Sequence, residues 1–307
     1  NDHYHSVFPP DVNAVFDHGK RDVSSFPIAT GVYYKQDYSA GVDISKYKNI
    51  PVPTSYMAIQ SKYDFVGGYE ADVQGGLLHV ADHHVSPGKK QWTWGNGDFG
   101  KAWDRNLTDE DGPYIELMTG MYTDNQPDFS WLQPYEEKSW VQYFMPYSEV
   151  GYVKNATKDV LLNVELKEDN AHLILYTTGV NKDVHLLAKD IQGKILLDKI
   201  IQISPADPFT VTFPATGLKE EDIRIEIRDC EGKVMLTYQA DKPEIKPMPD
   251  PAKAAKDPKD IASIEQLFLT GLHLEQYRHA TYNPMDYYQE ALRREPGNVR
   301  CNNAIGL

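Results

Sequence analysis

Between residues 151 and 241 apolar and polar positions alternate in short runs. They are "VLLNVELKE", "HLILYTTG", "VHLLAKD", "KILLDKIIQI", "FTVTFPA", "IRIEIRD" and "KVMLTYQA". A period of two sends alternate side chains to opposite faces of a strand. Seven such runs separated by turns predict a small β-sandwich. Two connections, in "AKDIQGKILL" and "IRDCEGKVML", share Asp-x-x-Gly-Lys, a hairpin loop in which glycine is free to take a positive φ. No chemistry-bearing side chains cluster in this stretch, so it reads as a structural spacer.

From residue 261 the period becomes helical. "IASIEQLFLTGLHLEQYRHA" sets Ile264, Leu267, Phe268, Leu272 and Leu274 largely along one side. "NPMDYYQEALRREPGN" predicts a second helix with Asn283 as N-cap and Pro284 at its first position, and a third starts near Asn298. Between sandwich and helices, residues 242–260 are rich in proline and charge and read as a semi-stiff linker. Residues 1–150 show short β-like runs such as "YMAIQS" and "GLLHVADHH", punctuated by Gly-Gly, Asn-Gly and Asp-Gly pairs, with no convincing helical period. This region is expected to be all-β with long loops, which in compact domains are usually functional.

Composition narrows the picture a little. The 307 residues are 41% hydrophobic and 25% charged, ordinary for a globular protein of two or three domains. A net charge of −14 argues against a nucleic-acid partner. No apolar run approaches the roughly 18 residues of a membrane span. The two cysteines, Cys230 and Cys301, indicate neither a disulfide framework nor a zinc motif. No signal peptide is visible, and the compartment stays open with the cytoplasm favoured. The chain opens "NDHYHSVFPPDV" and closes "RCNNAIGL", so both ends read as cuts through a longer protein.

The chemistry concentrates in the first region. All five tryptophans lie between Trp92 and Trp140. Aromatic faces stack on the C–H side of a sugar ring, and carboxylates and amides take its hydroxyl pairs. Trp92, Trp94, Trp103 and Trp131 supply faces; Asp104, Arg105 and Asp124 supply polar partners. Glu116, His83 and Asp128 are the candidate catalytic groups. The alternative for the tryptophans is core filling, and for His83 a satisfied structural role. If "HVADHH" is a regular strand, His83 and His84 face opposite ways, and His79 lies about 13 Å from His83. On that basis no metal and no other cofactor is expected. "YIEL" reads as a central strand with Ile115 and Leu117 in the core and Glu116 on the open face beside at least two tryptophans. The loop after it, which Pro127 stiffens, is expected to return over that face.

"FDHGKR", "AGVDIS", "KNIPVPTS", "FVGGYE", the run from His79 to Pro134 and "YRHATYNPMDYYQEALRREPGN" resemble a family of uncharacterised bacterial proteins whose β-domain precedes tetratricopeptide repeats. The first domain of that family is similar to the galactose-mutarotase supersandwich. "WTWGNG" at 92–97, "IELM" at 115–118, "QPD" at 126–128 and "LQPYEE" at 132–137 follow the order of a mutarotase C-terminal pattern, with Met118 and Tyr135 as departures. The resemblance implies that Glu116 is the carboxylate acting as general base on the anomeric hydroxyl. Tyr288, Ala291 and Pro296, and glycines at 271 and 306, resemble a tetratricopeptide repeat.

The expectation is therefore a mainly β protein with a C-terminal α part. Residues 1–150 would be the C-terminal portion of a mutarotase-like supersandwich and 151–241 an immunoglobulin-like sandwich. Residues 242–260 would be a linker and 261–307 the start of a helical-repeat array. The expected partner is a mono- or oligosaccharide, bound or processed by epimerase or glycoside hydrolase chemistry. The alternative is a non-catalytic scaffold whose repeats hold a protein partner.

Overall fold

The computed structural model describes residues 2–113, 115–126, 132, 134–242, 247–277 and 281–307. Asp128 and Trp131 lie outside them. The chain divides into two compact units, one from the first 250 residues and one from the C-terminal stretch. It is mainly β, with antiparallel pairing throughout and helices at the C-terminus.

In the first region the strands are β1 (Tyr4–Val7), β2 (Ala14–Phe16), β3 (Val23–Ser25), β4 (Ile28–Ala29), β5 (Val32–Tyr33), β6 (Gln36–Asp37), β7 (Val42–Asp43), β8 (Thr54–Ala58), β9 (Phe65–Glu70), β10 (Gly75–Val80), β11 (Gly88–Thr93), β12 (Ile115–Gly120) and β13 (Tyr143–Ser148). They form a four-stranded sheet, β1-β9-β10-β13, a five-stranded sheet, β12-β11-β8-β2-β3, and two short ribbons. The two larger sheets pack through polar groups. Tyr4 Oη donates to Gln91 Oε1 at 3.3 Å, Ser6 bonds the same oxygen, and Thr119 Oγ1 lies 3.1 Å from His79 Nε2. Glycines admit these side chains: a Cβ on Gly68 would fall within 2.5 Å of the Tyr4 ring.

One helix, α1 (Asp98–Leu107), interrupts the region expected to be all-β. Ten residues give fewer than three turns, too short for periodicity to stand out. Its end signals are nevertheless present: Gly97 at the N-cap, Asp98 in the first turn and Arg105 in the last. A Cβ on Gly100 would fall 1.9 Å from the Gly95 carbonyl oxygen, so this turn packs directly on the 95 loop.

The second region adds β14 (Asn155–Ala156), β15 (Val160–Lys167), β16 (Asn170–Thr177), β17 (Asn181–Asp190), β18 (Ile195–Ile203), β19 (Phe209–Pro214), β20 (Ile223–Arg228) and β21 (Val234–Gln239). Two sheets, β14-β15-β16-β19 and β18-β17-β20-β21, carry all seven alternating runs. Both Asp-x-x-Gly-Lys stretches are hairpin loops. Asp190 Oδ1 accepts from the amides of Gln192 and Lys194, and Asp229 Oδ1 from those of Glu231 and Lys233. Gly193 and Gly232 sit at φ 88° and 82°. Residues 160–164 of β15 are all buried, because one apolar core runs from the four-stranded sheet (Tyr69, Leu78, Met145, Tyr147) into the sandwich (Leu162, Leu186, Ile225).

The C-terminal unit holds α2 (Ile264–Tyr277), α3 (Pro284–Arg294) and α4 (Val299–Gly306). Asn283 and Asn298 cap α3 and α4, accepting from the amides of Met285 and Cys301 at 3.1 Å. Gly271 lets α2 meet α3: a Cβ there would fall 2.5 Å from the Tyr288 ring. Leu267, Leu274, Tyr287, Tyr288, Ala291 and Cys301 form its core.

Candidate functional site

The run "GKKQWT" alternates along β11. Lys89, Gln91 and Thr93 point into the polar layer between the sheets, and Lys90 and Trp92 to the opposite face. Register sets the neighbours on that outer face. Trp92 lies opposite Glu116 on one side and Ser55 on the other, and Lys90 lies between Met118 and Met57. Directly opposed residues in an antiparallel pair share a face, with Cβ atoms about 4.5–5.5 Å apart. Glu116, Trp92 and Ser55 therefore form one row, with Met118, Lys90 and Met57 beneath it.

Glu116 faces away from the inter-sheet layer, as alternation requires, but its strand is an edge of the five-stranded sheet rather than a central strand. Among the described residues β12 pairs with β11 alone. Hydrophobic alternation within a strand reports its faces, not its position in a sheet, so "YIEL" carries no signal for this distinction.

Two groups that local sequence patterns do not connect complete the face. His18, from the turn after β2, stacks on Trp92 with ring centroids 5.5 Å apart. Its Nε2 lies 3.3 Å from Lys90 Nζ, a bond in which the ammonium donates. Asn125, 1% exposed, donates from Nδ2 to Ser55 Oγ at 2.9 Å and to the Phe16 carbonyl at 3.4 Å. That clamp brings the chain after β12 back over the outer face. Burial pulls the Lys90 amine below its usual range, and the charge of Glu116 opposes the shift. The alternation of "GKKQWT" could have placed Lys90 beside Trp92. His18 and Asn125 are 72 and 70 residues from the side chains they hold, and nothing local announces them.

The tryptophans continue the surface. Trp94 meets Trp92 edge to face at 5.3 Å and stacks on Trp103 at 4.6 Å with planes 12° apart. Phe99 and Trp103, four residues apart on α1, share one side of the helix, and the Phe99 ring is 6.2 Å from Trp94. Phe99 and Trp103 are 59% and 38% exposed, far above a core aromatic. Trp94 Nε1 is buried with no hydrogen-bond partner among the described residues. The result is a stepped aromatic shelf, with a carboxylate, an amine and an imidazole at its Trp92 end.

Other candidate residues fall elsewhere. Asp104 is 7% exposed and caps the end of α1 through its carbonyl, which accepts from the Thr108 amide and hydroxyl. Burial, then the Asp104 charge, push the Tyr47 phenol up to about 12. A buried carboxylate in that position is not among the exposed rings. Arg105 is exposed on α1, and Asp124 is exposed and accepts from Thr123 Oγ1 at 3.0 Å.

His83 hangs from the other sheet, in a turn that follows β10. Its Nδ1 and backbone amide both bond Asp64 Oδ1, at 2.7 and 2.9 Å. Asp64 acts on the charge of Lys89, which projects from the face of β11 opposite to Trp92. His83 and Glu116 are thus not brought together. The strand expected through His84 also ends at Val80, so the two histidines do not diverge. Their rings lie 3.9 Å apart.

No helix among the described residues is long and apolar enough to cross a membrane. Residues 3–147 match the family model described as Domain of unknown function (DUF5107). Residues 155–238 match that of the YphG-like protein, second domain. Among solved structures, a TPR-domain containing protein from Parabacteroides distasonis is 24% identical over 48% of this chain, with a TM-score of 0.37. This chain spans 23% of that protein's length. The first β region is thus similar to a domain of unknown function and the second to the second domain of a YphG-like protein.

Proposed function

We propose that the outer face of the five-stranded sheet binds a carbohydrate and that Glu116 is its proton-transferring carboxylate. The observation that carries this reading is the register of Trp92 with Glu116 at the end of the Trp92–Trp94–Trp103 shelf. A pyranose presents an apolar C–H face and an equatorial fringe of hydroxyls. The shelf suits the first, contributing about 1 kcal/mol per aromatic contact. Glu116, Lys90 and His18 offer an acceptor, a donor and a group able to do either, which suits the second. A carboxylate within hydrogen-bond reach of an anomeric hydroxyl can act as its general base, the role a mutarotase-like domain would give it. Hydrolysis of a glycosidic bond would need a second carboxylate at a defined separation.

Glycan-array screening followed by calorimetry on the full chain tests the reading. Trp92→Ala should weaken the best saccharide roughly five- to tenfold, the equivalent of about 1–1.4 kcal/mol. Glu116→Gln should leave binding within a few-fold while abolishing anomer exchange or hydrolysis of that saccharide. Absence of binding across neutral and acidic glycans, or an affinity indifferent to Trp92, overturns the proposal.

A further inference from the structure

We propose that the turn after β10 is a transition-metal site, with Asp82, His83 and His84 as ligands and Asp64 holding His83 in place. Each of the three offers a donor atom, and these lie within 4.8 Å of one another. A tetrahedral ion with bonds of about 2.0–2.1 Å separates its ligands by roughly 3.3 Å. His84 Nδ1 and Asp82 Oδ1 already stand 2.9 Å apart, close to that separation. The residues occupy a turn, where rotation meets little resistance; His84 and Asp82 are 76% and 60% exposed.

The hydrogen bonding defines the donors. Asp64 Oδ1 accepts from both the amide and Nδ1 of His83. A ring that donates from Nδ1 carries its lone pair on Nε2, the form in which imidazole binds metal, and a carboxylate behind it orients the ring and raises its basicity. His83 has this arrangement before any ion arrives. Between His84 and Asp82 a metal would replace the shared proton. Asp64 and Asp82 place two negative charges around two imidazoles, which favours a dication. Imidazole nitrogens select zinc, cobalt, nickel or copper over magnesium and calcium, which prefer all-oxygen sets. Three protein ligands leave a fourth position open to water or to another molecule. The site lies on the four-stranded sheet's side and does not depend on the carbohydrate reading.

The test is calorimetric titration of the tag-free, chelator-treated full chain with Zn²⁺, and with Co²⁺ followed by its visible d–d bands. One equivalent of either ion should bind, unaffected by millimolar Mg²⁺ or Ca²⁺, and Co²⁺ should give low-symmetry, four- or five-coordinate bands. The His83→Ala/His84→Ala double variant should lose the bands and the stoichiometric binding. Asp64→Asn should keep one site but weaken it roughly 10–100-fold. His185→Ala, which removes an imidazole paired to Asp198 on the sandwich, should bind as the parent does. Circular dichroism checks that each variant is folded. Absence of a stoichiometric site in the parent, or survival of that site in the folded double variant, overturns the proposal.

Discussion

The two β regions handle polar groups in opposite ways. In the sandwich, buried side chains are almost all apolar, Asn163 and Thr177 being the polar ones among the described residues. The first region buries His5, Ser6, His79, Lys89, Lys90 and Gln91, among others. His5 Nε2, Lys89 Nζ, Gln91 Nε2 and Trp94 Nε1 find no hydrogen-bond partner among the described atoms. A buried polar group without a partner costs about 1–3 kcal/mol. A region that keeps several gives up stability, and local rules tend to be broken where function is. The sandwich keeps a single such atom among the described residues, Asn163 Oδ1.

The sharpest way to break this contrast is to truncate one residue in each region. Leu186, fully buried in the sandwich, should cost about 2–5 kcal/mol on replacement by alanine and leave ligand affinity unchanged. Trp103→Ala on the exposed shelf should move the unfolding midpoint little and lower saccharide affinity several-fold. Urea unfolding and calorimetry read both. Equal stability losses would erase the distinction.

A smaller effect of opposite sign is expected at Lys89. Burial lowers its amine's pKa, with Asp64 and then Asp11 opposing the shift. Lys89→Met keeps the stem and removes the unpaired nitrogen, and should raise stability by about 1–2 kcal/mol. A loss in the same denaturation experiment would show that the amine is satisfied, and the first region would look more like the second.

Gly193 tests the sandwich's local rules. Alanine at φ 88° meets no side chain within 4 Å, so the cost is backbone strain alone, about 1–2 kcal/mol. An unchanged midpoint for Gly193→Ala would mean that this loop relaxes freely.

The smallest expected effect is a pH dependence seated in the first region. Burial pushes the His5 imidazole down to about 4, with the Lys46 charge in the same direction and Asp43 opposing. The unfolded chain therefore takes up a proton near pH 6.5 that the folded chain refuses until about pH 4. The stability this supplies is complete above pH 6.5 and is lost as pH falls toward 4. Its size is on the order of 1 kcal/mol once discounted for solvent screening. His5→Phe should flatten the midpoint-versus-pH curve over that interval; an unchanged slope would assign it to other groups.

Much of the fold was legible. The seven sandwich strands, both Asp-x-x-Gly-Lys hairpins and the caps at Asn283 and Asn298 each rest on residues within a few positions of one another. Less of the site could be read. Trp92, Trp94 and Trp103 stood out by clustering, and the alternation in "YIEL" turned Glu116 outward. Helix α1 was hidden by its length, and the strand assumed through His83 and His84 stopped at Val80. That assumption turned the two histidines to opposite faces, whereas the turn sets their rings 3.9 Å apart.

The sequence by itself thus determined the strands of the sandwich, the C-terminal helices and which side of those strands is apolar. Those properties come from steric preferences and hydrogen bonds between near neighbours in the chain. Only the tertiary structure decided that β12 is an edge, that His18 and Asn125 join Lys90, Trp92 and Ser55, and that Asp104 is withdrawn. The first depends on strand order and the second on contacts between residues 70 or more positions apart. Such contacts are set by how whole sheets pack, and no short-range pattern encodes that.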